Sequence, residues 1–143
     1  MKIISIDPGV KHIGWASHVE GKLSHCGLSK KWVNLAGDII VIEKPQIYSP
    51  RFWKGDPNDL INIAIVVGEI KGIYEKLGGK VVLVLPNQWK GQTPKDVIKN
   101  QIDKDLDKRE TEVMKNALQN HPKHLHHNIY DAVGIGRWYA RTH

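Results

Sequence analysis

Three acidic residues occupy positions at which a folded chain would hold a carboxylate at one end of a sheet. Asp7 follows a short apolar segment, Glu43 ends a run of β-branched residues, and Asp131 lies among apolar residues near the C-terminus. A carboxylate in such surroundings is costly unless it is paired or binds a metal ion. If the segments before Asp7 and Glu43 form neighbouring strands, a C-terminal helix packed across them brings Asp131 to the same point.

Converging carboxylates indicate a site for divalent cations. Like charges repel one another, and hard oxygen ligands favour Mg²⁺ or Mn²⁺. In phosphodiester hydrolysis, two such ions about 3.5–4 Å apart activate a water molecule and stabilise the leaving oxygen. The alternative is that each acid only caps a helix or forms an ion pair, and for any one acid alone this alternative is preferred. The joint pattern therefore favours a metal-dependent phosphodiesterase.

The composition is that of a basic globular protein. The chain has 143 residues, 41% of them hydrophobic, and carries 21 lysines and arginines against 15 acidic residues. This length and hydrophobic content predict one domain with a buried core, spanning residues 1–143. The net charge of +6 favours a polyanionic partner. A basic protein without a nucleic-acid role explains the charge alone equally well.

The sequence predicts neither a secretion signal nor a membrane-spanning segment. Asp7 interrupts the N-terminal apolar run early, and no apolar stretch approaches the roughly 20 residues needed to cross a membrane. The single cysteine, Cys26, allows no internal disulfide and is expected to be a buried small side chain. We therefore expect a soluble, intracellular protein without membrane contact.

The hydrophobic pattern predicts an α/β protein. Apolar runs bounded by turn signals, among them a hairpin turn at Glu20-Gly21, predict strands over 2–6, 12–19, 22–28, 38–44 and 80–85. Helical periodicity and capping signals predict helices from Asn58 or Asp59 to about 77, from a Thr93 cap to about 120 with a break near 105–108, and from about 128 onward. This order indicates a mixed sheet flanked by helices.

The predicted helix over 59–77 has two apolar faces. The wide face is expected to cover the sheet and comprises Leu60, Ile63, Val66, Val67, Ile70, Ile73, Tyr74 and Leu77. The second face is made of smaller residues, namely Ile61, Ala64, Ile65, Gly68 and Gly72. Such a face allows another helix to approach closely. That helix belongs either to the same chain or to a second copy related by two-fold symmetry.

Four segments together resemble the motifs of RuvC-type Holliday-junction resolvases. Ile3-Ile4-Ser5-Ile6-Asp7-Pro8-Gly9, followed by Gly14-Trp15-Ala16, is similar to the first motif, and Ile42-Glu43-Lys44-Pro45 to the second. Val84-Leu85-Pro86-Asn87-Gln88-Trp89-Lys90 resembles the segment in which a lysine faces the DNA. Asp131-Ala132-Val133-Gly134-Ile135-Gly136 resembles the last motif. Each motif alone is weakly specific, but all four occur in the family's order over nearly the whole chain.

This resemblance implies an RNase H-like fold, with a mixed sheet of about five strands of which the first three are antiparallel. It also implies a homodimer that binds a four-way DNA junction, for which the 59–77 helix offers the interface. Each subunit would hold two Mg²⁺ ions, or Mn²⁺ in their place, on Asp7, Glu43 and Asp131. Each would nick one strand by attack of water. The family resemblance also implies the cytoplasm of a prokaryotic or phage-infected cell, and the small size suits a phage or mobile-element version.

The chain departs from the resolvase pattern at the fourth ligand. The family usually has an acid, sometimes a histidine, three residues before its last aspartate, and this chain has Asn128 there. Asparagine is a neutral and weaker oxygen ligand. His127 shares a helix face with Asp131 and is the alternative, as ligand or as proton carrier. A third interpretation is that both residues only begin the helix.

Two groups of residues are candidates for DNA contact. The loop after Glu43 interleaves basic and aromatic side chains, which suit phosphate contact and base stacking, namely Tyr48, Arg51, Phe52, Trp53 and Lys54. One of its aromatics could act as a wedge in the junction, or all could close the core beneath the loop. The second group is Lys90, Lys95 and Lys99, of which Lys90 lies in the family motif, although a solvated helix face would carry lysines as well.

Three alternative functions are compatible with parts of the pattern. The chain could be another RNase H-fold nuclease, acting on RNA or on flapped or branched DNA. It could be a catalytically weak DNA-binding module, given Asn128. An actin-like nucleotide-binding protein also has Asp-Pro-Gly near its start, but this chain is too short for two lobes and has no second glycine-rich phosphate loop.

Overall fold

The computed structural model describes residues 1–32, 35–46 and 56–143. The strands are β1 (Lys2–Asp7), β2 (Ile13–Val19), β3 (Lys22–Ser29), β4 (Ile39–Glu43) and β5 (Lys80–Val84). The helices are α1 (Pro57–Lys76), α2 (Pro86–Trp89), α3 (Lys95–Asp105), α4 (Lys108–Gln119) and α5 (His126–Thr142), with a single 3₁₀ turn at Lys123–Leu125. These bounds confirm the predicted α/β class and all five predicted strands.

The five strands form one mixed sheet in the order β3-β2-β1-β4-β5. Strand β2 pairs antiparallel with β1 and with β3, whereas β4 pairs parallel with β1 and with β5. The predicted hairpin turn between β2 and β3 is confirmed, because Glu20 and Gly21 have φ angles of 50° and 79°. Positive φ at both central residues is the conformation of a type I′ turn, which matches the twist of the flanking strands.

Strand alternation divides the core between the two faces of the sheet. Ile4, Ile6, Ile40 and Ile42 point to one face and pack against α1, through Val67, Ile70 and Tyr74. The opposite face carries Ile3, Val41 and Val84, which contact Ile135 and Tyr139 of α5. Helices α3 and α4 extend this second layer over β2 and β3. The result is a sheet between α1 and a layer of three helices.

Several helix starts differ from the predictions. Helix α1 begins at Pro57, and its cap is Asp56, whose carboxylate accepts a hydrogen bond from the Asn58 amide, rather than Asn58 or Asp59. Helix α3 begins at Lys95 because Pro94 has an extended conformation, so Thr93 is not its cap. Helix α5 starts two residues before the expected position, at His126.

The break between α3 and α4 agrees with the prediction, whereas helix α2 does not. The break between α3 and α4 is confirmed and has a local cause, since Asp107 and Glu110 form a reciprocal capping box at the start of α4. The single-turn helix α2 was not predicted. It follows β5 directly, with Pro86 at its first position and the Gln88 side chain accepting a hydrogen bond from the Leu85 amide.

A buried histidine lies at a close contact between α5 and the sheet. His18 of β2 is fully buried, and within the described residues neither of its ring nitrogens has a hydrogen-bond partner. A Cβ atom at Gly136 of α5 would lie 2.5 Å from the His18 ring and 2.7 Å from Ser5 Oγ, so only glycine permits this approach. Burial, assisted by the charge of Arg137, lowers the pKa of His18 to about 4.

His18 makes stability depend on pH. Between its ordinary pKa of 6.5 and about 4, the unfolded chain binds a proton at His18 that the folded chain does not. The free energy of unfolding therefore falls as pH decreases through this window, by up to about 3 kcal/mol. Urea unfolding at a series of pH values should show this loss in the wild type and a smaller loss in His18→Asn. The same change at exposed His25 serves as control, and parallel pH profiles for wild type and His18→Asn would contradict the assignment.

Candidate active site

Asp7 and Glu43 lie side by side at the carboxyl ends of two parallel strands. In the register of β1 and β4, Ile6 is opposite Ile42, and each acid is the next residue on its strand. Ile6 and Ile42 face α1. Alternation therefore directs both carboxylates to the other face of the sheet, which α5 covers.

Helix α5 brings Asp131 to this end of the sheet through two close contacts. Ser5 Oγ of β1 donates a 2.6 Å hydrogen bond to the carbonyl oxygen of Ala132, the residue after Asp131. Gly14, which pairs with Asp7 across β1 and β2, touches the start of the helix. A Cβ atom there would lie 2.2 Å from the Asn128 carbonyl oxygen, so a side chain would push α5 off the sheet.

The three carboxylates affect one another electrostatically. Burial raises the pKa of Asp7 well above its ordinary value, and the negative charges of Asp131 and Glu43 raise it further. Burial also raises the pKa of Glu43, with a contribution from Asp131. The pKa of Asp131 is raised for the same first reason, its burial. The sequence pattern thus identified three acids that share one partly dehydrated environment.

Positive side chains surround these acids without forming ion pairs with them among the described residues. The charge of Lys90 lowers the pKa values of all three carboxylates, and Lys95 lowers those of Asp7 and Asp131. Lys95 is exposed at the start of α3, and Lys90 is half-buried after α2. Lys99 is one turn further along α3, with its ammonium group 5.7 Å from the centre of the Tyr130 ring.

His127 and Asn128 have different surroundings at the start of α5. The exposed His127 lies near Asp131, since its charge lowers the pKa of that carboxyl. Its Nδ1 is 3.0 Å from the His124 carbonyl oxygen, which can only accept, so Nδ1 carries the proton and Nε2 is the basic nitrogen. Asn128 contacts Gly14 through its backbone carbonyl. His126, by contrast, hydrogen-bonds the carbonyls of Leu118 and His121 and holds the preceding turn.

Trp89 is a site residue to which the sequence analysis gave no role of its own. Its indole Nε1–H donates a 2.5 Å hydrogen bond to Glu43 Oε2. The ring lies against Gly134 of α5, where a Cβ atom would be 2.5 Å from Cζ3. Two sequence signals could have indicated this role: a tryptophan directly before the motif lysine, and a glycine three residues after Asp131.

The donor chemistry of this cluster fits hard divalent cations. Its carboxylates are oxygen donors with raised pKa values, and burial together with mutual repulsion makes their negative charge costly. Over the described ranges, no three histidine, cysteine or acidic side chains stand close enough together to form a ready ligand group. The metal ligands therefore stay a prediction, namely Asp7, Glu43 and Asp131 with either Asn128 or His127.

The predicted contacts of the loop after Glu43 stay untested as well. Tyr48, Arg51, Phe52, Trp53 and Lys54 all lie outside the described residues.

No helix among the described residues is long and apolar enough to cross a membrane.

The charge of Asp7 should reduce stability at neutral pH. Because its pKa is raised above the ordinary 3.8, the folded state binds a proton more tightly than the unfolded state, and stability falls as pH rises through the interval between the two values. In metal-free buffer at pH 7, Asp7→Asn should be more stable than wild type by roughly 1 kcal/mol. The gain should vanish below the ordinary pKa. Glu112→Gln on the exposed face of α4 should bring no gain, and a less stable Asp7→Asn would contradict a destabilising charge at Asp7.

The fold and the site can be compared with known proteins. Models of protein families give no match to the chain, and neither do curated protein sequences. Solved structures do match it, among them several Holliday junction resolvases. Fowlpox virus Holliday junction resolvase is 19% identical with a TM-score of 0.63, over 99% of both chains.

Two further resolvases are similar over most of the chain. Thermus thermophilus RuvC, in complex with a Holliday junction substrate, is 16% identical with a TM-score of 0.61, over 99% of this chain and 96% of that one. The yeast mitochondrial Holliday junction resolvase Ydc2 is 12% identical with a TM-score of 0.63, over 97% of this chain and 78% of that one. The chain thus has the RNase H-like fold of the Holliday junction resolvases.

Proposed function

We propose that this chain is a divalent-metal-dependent endonuclease that resolves four-way DNA junctions. The observation that carries the proposal is geometric: Asp7 and Glu43 end two neighbouring parallel strands, and the Ser5–Ala132 hydrogen bond fixes the helix that carries Asp131 at the same end of the sheet. The similar structures from fowlpox virus, Thermus thermophilus and yeast mitochondria are Holliday junction resolvases, and both the Thermus and the fowlpox enzymes have been solved with junction DNA. The acids quoted in the resolvase-like motifs are the acids of this cluster.

The three carboxylates are the residues that would hold the metal ions. Bound Mg²⁺ would supply activation of the attacking water and stabilisation of the leaving oxygen. Asp7, Glu43 and Asp131 supply the negative charge that attracts the cations, although burial raises their pKa values and so favours the protonated acids while no cation is bound. Protonation of these acids competes with cation binding, so cleavage should weaken as pH falls.

Lysine and histidine side chains have complementary roles beside the carboxylates. Lys90 and Lys95 are close enough to act on the carboxylate charges, and a DNA phosphate at the site would meet the same positive field. Lys99 extends this positive side along α3. His127 would exchange protons through its basic Nε2, since Nδ1 is bonded to the His124 carbonyl. The contact of the Asn128 backbone with Gly14 has a structural role.

A second copy of the chain is the proposed partner at the outer face of α1. Ile61 and Ile65 are 59% and 54% exposed, and a Cβ atom at Gly68 or Gly72 would touch nothing within 4 Å. In the part of the chain that the structure describes, no helix covers this face. Two nicks in a four-way junction need two active sites, and a two-fold axis through α1 would provide them.

The first test is cleavage of a synthetic four-way junction in Mg²⁺. Wild type should cut it by paired nicks, and Asp7→Asn should lose at least roughly 10³-fold in rate because a required ligand charge is removed. The variant should still bind the junction, as gel shift in EDTA would show. Linear duplex, flaps and RNA in the same assay separate a resolvase from another nuclease of this fold. Persistent cutting by Asp7→Asn in Mg²⁺ would refute the assignment of the site.

The second test concerns the dimer. Aspartate at both Ile61 and Ile65 would place buried charges at the interface and should weaken dimerisation by roughly 100-fold or more. Light scattering after size exclusion should then change from a dimer to a monomer of 16.2 kDa. Val97→Asp, an exposed apolar residue of α3, is the matched control and should stay dimeric. A monomeric wild type at micromolar concentration would contradict the proposed interface.

A further inference from the structure

We propose that Trp89 is a positioning residue that holds the Glu43 carboxylate in the orientation needed for metal binding, an inference that rests on the proposed function. Trp89 itself touches neither substrate nor cation in this proposal. It acts through one hydrogen bond to Glu43 and through its packing on α5, the helix that carries Asp131. It therefore couples the acid at the end of β4 to the helix that brings the third carboxylate.

The hydrogen bond is short and charge-assisted. Trp89 Nε1–H donates to Glu43 Oε2 at 2.5 Å, and this bond lowers the pKa of Glu43 against the effect of burial. Hydrogen bonds to an ionised acceptor are about twice as strong as neutral ones. Among the described residues, no other side chain donates to Glu43. Since Oε2 is engaged, Oε1 is the oxygen left for a cation.

The indole ring is fixed by its surroundings. Gly134 of α5 lies beneath it, at a separation that excludes any Cβ atom. The ring also packs against two of the core clusters on the α5 face. The Lys90 ammonium lies 5.3 Å from the centre of the Trp89 ring, so Trp89 contacts Lys90 as well as Glu43. A ring seated in this way cannot rotate without disturbing α5.

The backbone that presents Trp89 is equally constrained. Helix α2 is a single turn directly after β5, and Pro86 at its start is buried. The Gln88 side chain accepts a 2.7 Å hydrogen bond from the Leu85 amide, and the Lys90 amide donates to the Pro86 carbonyl. Strand β5 pairs with β4 so that Val84 is opposite Glu43. The turn after β5 is therefore in register to place an indole N–H beside that carboxylate.

Loss of the indole donor should leave Glu43 free to rotate. Hydrogen-bond partners that orient metal ligands typically contribute 10–100-fold to metal affinity or activity. Phenylalanine keeps an aromatic ring at this position but lacks the N–H. A cleft of about 270 Å³ already adjoins Trp89, so the smaller ring needs little rearrangement. Trp89→Phe therefore removes the donor and retains most of the packing.

The contact is tested first in the metal-free protein, without reference to cleavage. In a ¹⁵N–¹H spectrum at constant pH, the Trp89 indole signal should lie downfield and should move upfield by several tenths of a ppm in Glu43→Ala. The Trp138 indole, which has no contact with Glu43 among those described, should not move. Added Mn²⁺ should broaden the Trp89 signal more than the Trp138 signal. An unchanged Trp89 signal in Glu43→Ala would overturn the proposal, even if Trp89→Phe failed to fold.

The functional consequence is tested on a synthetic four-way junction. Trp89→Phe should need roughly 10- to 100-fold more Mn²⁺ for half-maximal cleavage and should have a lower kcat, with junction affinity within about 2-fold of wild type. Trp138→Phe is the matched control and should behave as wild type. Equal Mn²⁺ dependence and kcat in wild type and Trp89→Phe would overturn the positioning role while leaving the nuclease proposal intact. A wild type that cuts no junction would refute the proposed function. The contact between Trp89 and Glu43 would then still be tested by the spectra of the metal-free protein.

Discussion

The close packing of α5 on the sheet is the constraint on which the candidate site depends. Without a side chain at Gly14, the start of α5 rests on the start of β2, and the bond from Ser5 to the Ala132 carbonyl fixes the next turn. A helix displaced by even one methyl group would carry Asp131 away from Asp7. Protein interiors are packed too densely to absorb such a displacement without cost. The geometry of the acids therefore depends on residues with no chemistry of their own.

The same packing explains why the site is costly to maintain. It gathers three carboxylates into a partly dehydrated end of the sheet and balances them with lysines that stop short of ion pairs. Energy of this kind is recovered only when a ligand of opposite charge binds. Trp89 belongs to this balance because it stabilises the charged form of Glu43 and packs on the helix that brings Asp131. Stability and site geometry are thus in opposition at these few residues.

The two faces of the sheet have separate tasks. One face packs against α5 and places the acids, whereas α1 covers the other face and turns Ile61 and Ile65 outward. Under the proposed function, DNA and the second subunit would meet different parts of the chain. A change in the α1 surface could therefore alter assembly without moving a carboxylate. The basic side chains at Lys90 and Lys95 lie on the side of the acids.

The sequence by itself determined the strands, the class of the fold and the three acids, because apolar periodicity and turn residues are local signals. It also indicated the apolar outer face of α1, although periodicity could not say what would cover it. Tertiary structure decided what depends on contacts between distant segments, namely the indole bond from Trp89 to Glu43 and the burial of His18 under Gly136. Helix starts at Pro57 and Lys95 also differed from prediction, because Asp56 rather than Asn58 or Asp59 caps α1 and the extended Pro94 lies outside α3. A single sequence does not show which distant residue a tryptophan or histidine will contact, because both residue types occur in many different environments.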